Sequence, residues 1–119
     1  MNSKAIGVFD SGVGGLTAVR QLQALLPHER IVYFGDTGRV PYGTRSRETI
    51  IQYAQQDIRF LHSKQVKFLL AACGTISSIL PADYTGALPI PYIGVVEAAT
   101  AAALAASKTG RIGVIATPA

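Results

Sequence analysis

The chain contains one cysteine, one methionine, two histidines and no tryptophan. A single cysteine excludes an internal disulfide, and two histidines, His28 and His62, make no zinc-ligand spacing. Both histidines stand among charged or polar neighbours and read as solvated side chains, so no metal is expected. Long hydrophobic runs are also missing. The first apolar stretch breaks at Asp10 after a few residues, so no signal peptide is visible. The alanine-rich stretch from Ala98 to Ala106 is too short to span a bilayer. The formal net charge is +4, yet only Arg39, Arg45 and Arg47 fall close together. With no arginine-rich run and no aromatic ladder for stacking bases, that charge reads as solvated surface rather than a nucleic-acid face. These absences predict a cytoplasmic chain with no membrane and no nucleic-acid partner.

What is present fits one compact α/β domain. Its 119 residues allow a real core, 49% of them are hydrophobic, and Gly is abundant at 12. Apolar runs alternate with helical patterns. Strands are expected at Ala5 to Phe9, Arg30 to Phe34, Lys67 to Ala72, Tyr92 to Val96 and Arg111 to Ala116. Between the first two lies a helix from about Leu16 to Leu26, with Leu16, Val19, Leu22, Leu25 and Leu26 on one face and Pro27 as its stop. Ser46 caps a second helix running to about Ser63, with Glu48 in its first turn. A short helix follows Cys73 and breaks near Pro81, and Glu97 opens an alanine-rich helix ending near Thr109-Gly110. Strand and helix in this alternation imply a three-layer α/β sandwich around a mainly parallel, flavodoxin-like sheet with right-handed crossovers.

In such sheets the ligand site lies at the carboxyl ends of the strands. Those ends carry Asp10-Ser11, Asp36-Thr37, Cys73-Gly74-Thr75, Glu97 and Thr117. Any one of these is explained as a cap or turn residue. Cys73 stands out because it joins an apolar strand to a helix start, where Thr75, Ser77 and Ser78 can satisfy free backbone N–H groups. A lone cysteine in an apolar setting is usually an inert small hydrophobe. At a helix N-terminus the local positive field favours the reactive thiolate instead.

The turn after the first strand, Asp10-Ser11-Gly12-Val13-Gly14-Gly15, has two readings. Its glycines resemble a dinucleotide-binding turn, and Asp36 falls about where a ribose-binding acid would stand. Against that, the last fingerprint position is Thr17, where Gly or Ala suits close helix packing, and Asp10 would repel a pyrophosphate. Free amides at a helix N-terminus bind any anion, an amino-acid carboxylate included.

Taken together, Phe9-Asp10-Ser11-Gly12-Val13-Gly14-Gly15-Leu16-Thr17, Tyr33-Phe34-Gly35-Asp36-Thr37 and Val40-Pro41-Tyr42-Gly43-Thr44 closely resemble the glutamate racemases of the aspartate/glutamate racemase superfamily. Cys73 and the stretch Gly113-Val114-Ile115-Ala116-Thr117 agree in position and order. The resemblance covers essentially the whole chain but only the first half of the family's usual length, so residues 1–119 are expected to be the amino-terminal domain of a longer protein, the second domain lying outside this chain. It implies a cofactor-independent isomerase that interconverts L- and D-glutamate for peptidoglycan synthesis, hence cell-wall biogenesis and cell shape, and that is a homodimer at full length. In that family two cysteines face each other across the substrate α-carbon. Cys73 matches the first, with Asp10 assigned beside it as a catalytic and substrate-contacting residue. Ser11, Tyr42, Gly43, Gly74, Thr75 and Thr117 match substrate-binding positions. Two departures bear on function. Gly74 stands where the family commonly has Asn, and the second cysteine with its neighbouring histidine lies outside this chain. An isolated domain of this kind is expected to be inactive. A racemase for aspartate or another acidic amino acid, and a non-catalytic nucleotide- or metabolite-binding domain, are the alternatives.

Overall fold

The computed structural model describes residues 2–119. Four parallel strands, β1 (Ile6–Asp10), β2 (Ile31–Gly35), β3 (Phe68–Ala71) and β4 (Tyr92–Gly94), form one sheet in the order β2-β1-β3-β4. Five helices accompany them among the described residues: α1 (Leu16–Leu25), α2 (Arg47–Ser63), α3 (Gly74–Ile79), α4 (Ala82–Gly86) and α5 (Val95–Ala106). A short 3-10 turn, Thr37–Arg39, follows β2.

The order of the strands sets the layers. From β1 the chain steps outward to β2, then crosses back over β1 to reach β3. Right-handed crossovers in opposite directions place α1 and α2 on opposite faces. The direction reverses between β1 and β3, and that is the topological switch point of the sheet. Register aligns Asp10 with Gly35 and Phe9 with both Phe34 and Ala71, so the carboxyl ends of three strands finish level.

The core lies on the α2 face. Side chains alternate across a strand, so Phe9, Leu69 and Ala71 share one side. There they meet Ile50, Ala54, Ile58 and Leu61 of α2 and Ile76 and Ile79 of α3, all buried. Ser46 caps α2 as expected: its Oγ accepts from the Thr49 amide at 3.2 Å. The opposite face is thinner. Ile6, Phe68, Leu70 and Ile93 line an open groove of about 530 Å³ there, beside Leu22 and Leu26 of α1.

Three expectations are corrected. The apolar stripe of α1 is not buried: Val19 and Leu22 are half-buried, while Leu16, Leu25 and Leu26 are exposed. The helix rests against β2 near the edge of the sheet, so a single flank finds apolar cover. Arg111 to Ala116 forms no strand. Its backbone finds no sheet partner among the described residues, and Val114 and Ile115 are almost wholly exposed. The β4 strand is shorter than expected, and α5 starts at Val95 rather than Glu97. Gly94 explains that early switch, because a Cβ there would lie 2.0 Å from Ser77 Oγ, and the same hydroxyl accepts the Val96 amide at 3.1 Å. His28 and His62 are exposed, as the sequence indicates.

Candidate functional site

The residues singled out at the strand ends gather in two linked groups. The first straddles the switch point. Ser11, just past β1, places Oγ 3.4 Å from Cys73 Sγ, just past β3. Cys73 is buried and is the N-cap of α3, with Sγ accepting from the Ile76 amide at 3.5 Å. The expected strand-to-helix junction is therefore present, but the helix is only six residues long. One amide donates to the sulfur, and one hydroxyl lies within hydrogen-bond distance of it.

Asp10 is buried, and its Oδ2 accepts the Gly15 amide at 2.5 Å. The carboxylate thereby occupies the free N–H that a pyrophosphate would need at the start of α1. Glycine is required at that closure. A Cβ at Gly15 would lie 2.9 Å from both Ala72 Cβ and Asp10 Oδ2. The dinucleotide reading of this turn fits poorly with an amide already taken by an internal anion. Tyr33 ties the turn to β2 by donating to Gly12 O at 2.9 Å, and burial, then Asp10 and Cys73, holds its phenol above the ordinary value.

The second group lies beside the first. Thr75, buried on α3, places its hydroxyl 3.0 Å from that of Thr117. Thr117 is otherwise exposed, and it packs on the loop backbone at Gly43 so closely that a Cβ there would lie 2.6 Å from its Cγ2. Tyr42 and Gly43 are thus brought to the site by the loop after the 3-10 turn. Gly74 is exposed at the helix start, with open space where a Cβ would project. Glu97, also noted at a strand end, is exposed in the first turn of α5.

Tyr42 behaves differently from its neighbours. Its side chain is 1% exposed and turns away into a carboxylate cluster. The hydroxyl is bonded to Asp36 Oδ2 and lies 2.9 Å from Asp57 Oδ2. Arg39 completes the group, with Nε donating to Asp36 Oδ2 at 2.8 Å and Nη2 to Asp57 Oδ1 at 3.3 Å. It also stacks over the Tyr53 ring at 4.0 Å, a ring that Arg45 approaches too, while Arg47 donates to the Ile79 carbonyl. Arg39 is thus committed to internal contacts, while Arg45 and Arg47 stay exposed.

Asp57 was not among the residues expected at the site. The signal was available: it sits in the buried stripe of α2 with Ile50, Ala54, Ile58 and Leu61, and a carboxylate in such a stripe requires a buried partner. Burial pushes Asp57 up to about 7, further raised by Asp36 and offset by the Tyr42 and Arg39 contacts. Burial also acts on Asp36, but bonds from Arg39 and Tyr42 outweigh it and hold that carboxyl below its usual range. Burial and both carboxylates drive the Tyr42 phenol far up, so it stays a donor. No group of His, Cys, Asp and Glu among the described residues could hold a metal ion, and no helix there is long and apolar enough to cross a membrane.

No protein-family model matches the chain. Curated proteins and solved structures do. The sequence is 51% identical over 115 residues to the glutamate racemase of Chlorobaculum tepidum, covering 96% of this chain and 42% of that protein. The fold superposes on the glutamate racemase of Aquifex pyrophilus with a TM-score of 0.91 at 43% identity, over 96% of this chain and 45% of that one. The Francisella tularensis glutamate racemase, solved in complex with D-glutamate, matches with a TM-score of 0.80 at 47% identity, over 86% of this chain and 39% of that one. The chain thus spans less than half the length of the relatives that it matches.

Proposed function

We propose, from the homology that makes this chain one domain of the glutamate racemase family, that it supplies one of two opposed acid/base groups for the racemisation of glutamate. It is read as the amino-terminal domain, with the opposite base coming from a second domain. The observation that carries the reading is Cys73 at the switch point, with Ser11 Oγ at 3.4 Å and the Thr75–Thr117 hydroxyl pair beside it.

The chemistry follows from those residue types. The α-proton of an amino acid is a weak acid, so its removal needs a positioned base and support for the carbanion. Cys73, as thiolate, takes the proton from one face, and the S–H bond forms as the Cα–H bond breaks. A proton returned from the opposite face inverts the centre, and one sulfur cannot serve both faces. The hydroxyls of Ser11, Thr75 and Thr117 and the backbone at Gly43 and Gly74 are suited to the substrate carboxylates. Asp10 orders the turn through Oδ2, leaving the other oxygen for the substrate ammonium group. Tyr42 contributes its backbone, since its hydroxyl is committed elsewhere. No step of this scheme calls for a cofactor.

The test uses a chimera in which this chain replaces the matching half of a homologous glutamate racemase. It is expected to racemise glutamate, with α-proton exchange in deuterated buffer, and Cys73→Ala should abolish inversion. The 119-residue chain by itself should give no net inversion. Inversion by the chain alone, or full activity of the Cys73→Ala chimera, overturns the reading.

A further inference from the structure

We propose that Asp57 is a positioning residue, holding the Tyr42 hydroxyl together with Asp36 and so fixing Gly43 against Thr117 beside the candidate site. The role goes beyond one half of an acid/base pair, though its relevance to glutamate rests on that reading.

The number of protons in the cluster sets the arrangement. A phenol carries one, and the Tyr42 hydroxyl lies within reach of a carboxylate oxygen on each of Asp36 and Asp57. It can donate to only one of them. The other contact is attractive only if that carboxyl is protonated and donates to the phenol oxygen. Arg39 decides which one. It sets two nitrogens on Asp36 Oδ2, at 2.8 and 2.7 Å, and one on Asp57 Oδ1 at 3.3 Å, so Asp36 keeps the negative charge and Asp57 the proton. Asp57 is 1% exposed, and in this state the buried cluster of Asp36, Arg39 and Asp57 is neutral. Without that proton it carries an unpaired buried negative charge, which is costly.

The charged and titratable groups facing Asp57 are Asp36 at the end of β2, Arg39 in the 3-10 turn and Tyr42 in the loop. Its own helix contributes Gln56, an acceptor for Arg39, and the Tyr53 ring beneath that guanidinium. These contacts run from α2 through one side chain to the loop. Tyr42 is followed directly by Gly43, whose backbone leaves no room for a Cβ against Thr117. A shift of the phenol must therefore move Gly43, and Thr117 with it. Burial places loss of the Asp57 proton near neutral pH, at about 7, so the loop is coupled to pH around that value.

The test needs no ligand. The Asp57 carboxyl carbon, the Gly43 amide and the Thr117 methyl are followed by NMR from pH 5 to 9 (roughly two units either side of the expected midpoint). All three should titrate together with one midpoint near 7. Asp57→Asn stays neutral and can still donate to the phenol. It should hold Gly43 and Thr117 at the positions they take in the unsubstituted protein at low pH, with no titration. Asp57→Leu should displace both at every pH while signals of Leu69 and Ile6 stay in place. Titration of Gly43 and Thr117 persisting in Asp57→Asn, or no displacement in Asp57→Leu, overturns the proposal. If Asp57→Leu does not fold, Asp57→Asn alone decides. Glutamate binding is measured separately on the chimera, so absence of binding bears on the proposed function and leaves this result standing.

Discussion

Ser11 Oγ and Cys73 Sγ stand 3.4 Å apart across the switch point of the sheet, although 62 positions separate them in the chain. The contact exists because β1 and β3 are paired in register and end level, Ala72 N donating to Phe9 O at 2.9 Å. Any base at Cys73 therefore works with a hydroxyl alongside. A hydrogen bond to a charged group contributes about 1.5–3 kcal/mol, which is roughly 10- to 100-fold in rate. Ser11→Ala in the chimera should lower kcat/KM by that range and leave the melting temperature nearly unchanged. An unchanged kcat/KM would show that the serine does not assist the thiol.

Gly15→Ala should destabilise the fold. The new methyl would meet Ala72 Cβ and Asp10 Oδ2 at 2.9 Å, and neither can retreat. Ala72 is fixed by the sheet and Asp10 by its bond to the Gly15 amide. Overpacking of this kind costs about 1–3 kcal/mol. Urea denaturation measures it, and a midpoint equal to the parent would show that the turn yields more easily than the geometry indicates.

Gly74→Asn should fit without strain, because nothing lies within 4 Å of the position a Cβ would take. Asn also has a better helix propensity than Gly, by a few tenths of a kcal/mol. The added amide stands next to Cys73 at the exposed start of α3. In the chimera it should lower KM for glutamate several-fold with little effect on kcat. A raised KM would indicate that the site is adapted to the smaller residue.

Thermal stability should depend on pH through two carboxyls of opposite sign. Asp57 is raised in the folded state, so its contribution is fully present below the ordinary carboxylate value of about 4 and is lost as pH rises towards about 7. Asp36 is lowered, so its contribution is present above that ordinary value and lost as pH falls below it. From this pair the melting temperature should peak in mildly acid solution and decline towards neutrality. Asp57→Asn should flatten the decline without removing the loss in acid. Calorimetry across that range checks both, and a melting temperature rising from mildly acid to neutral pH in the parent, removed by Asp57→Asn, would reverse the assignment.

Much of the fold was legible in the order of residues. Strand and helix alternation marked four parallel strands, because a buried strand needs an unbroken apolar run and its crossover helix a 3.6-residue stripe. Ser46 was readable as a cap because its oxygen acts on an amide three residues away. Cys73 was readable as a strand-end residue for the same local reason. The stretch from Arg111 to Ala116 misled, since an apolar run records a capacity for pairing and a strand exists only where another strand lies beside it.

What the sequence by itself determined is the set of chemical groups at the carboxyl edge: Asp10, Ser11, Cys73 and Thr75 stand where apolar runs end, whereas Gly43 is marked only by the family resemblance, and Thr117 by that resemblance and by a strand that does not form. Only the tertiary structure decided which of them touch. Register across β1 and β3 joined Ser11 to Cys73, and packing against Gly43 brought Thr117 to Thr75. It also turned the Tyr42 side chain inward, away from the site where it was expected, onto Asp57 from a helix 15 positions on. Nothing local couples those two residues. Their contact follows from burial, which obliges a carboxylate in an apolar stripe to find a partner wherever the fold supplies one.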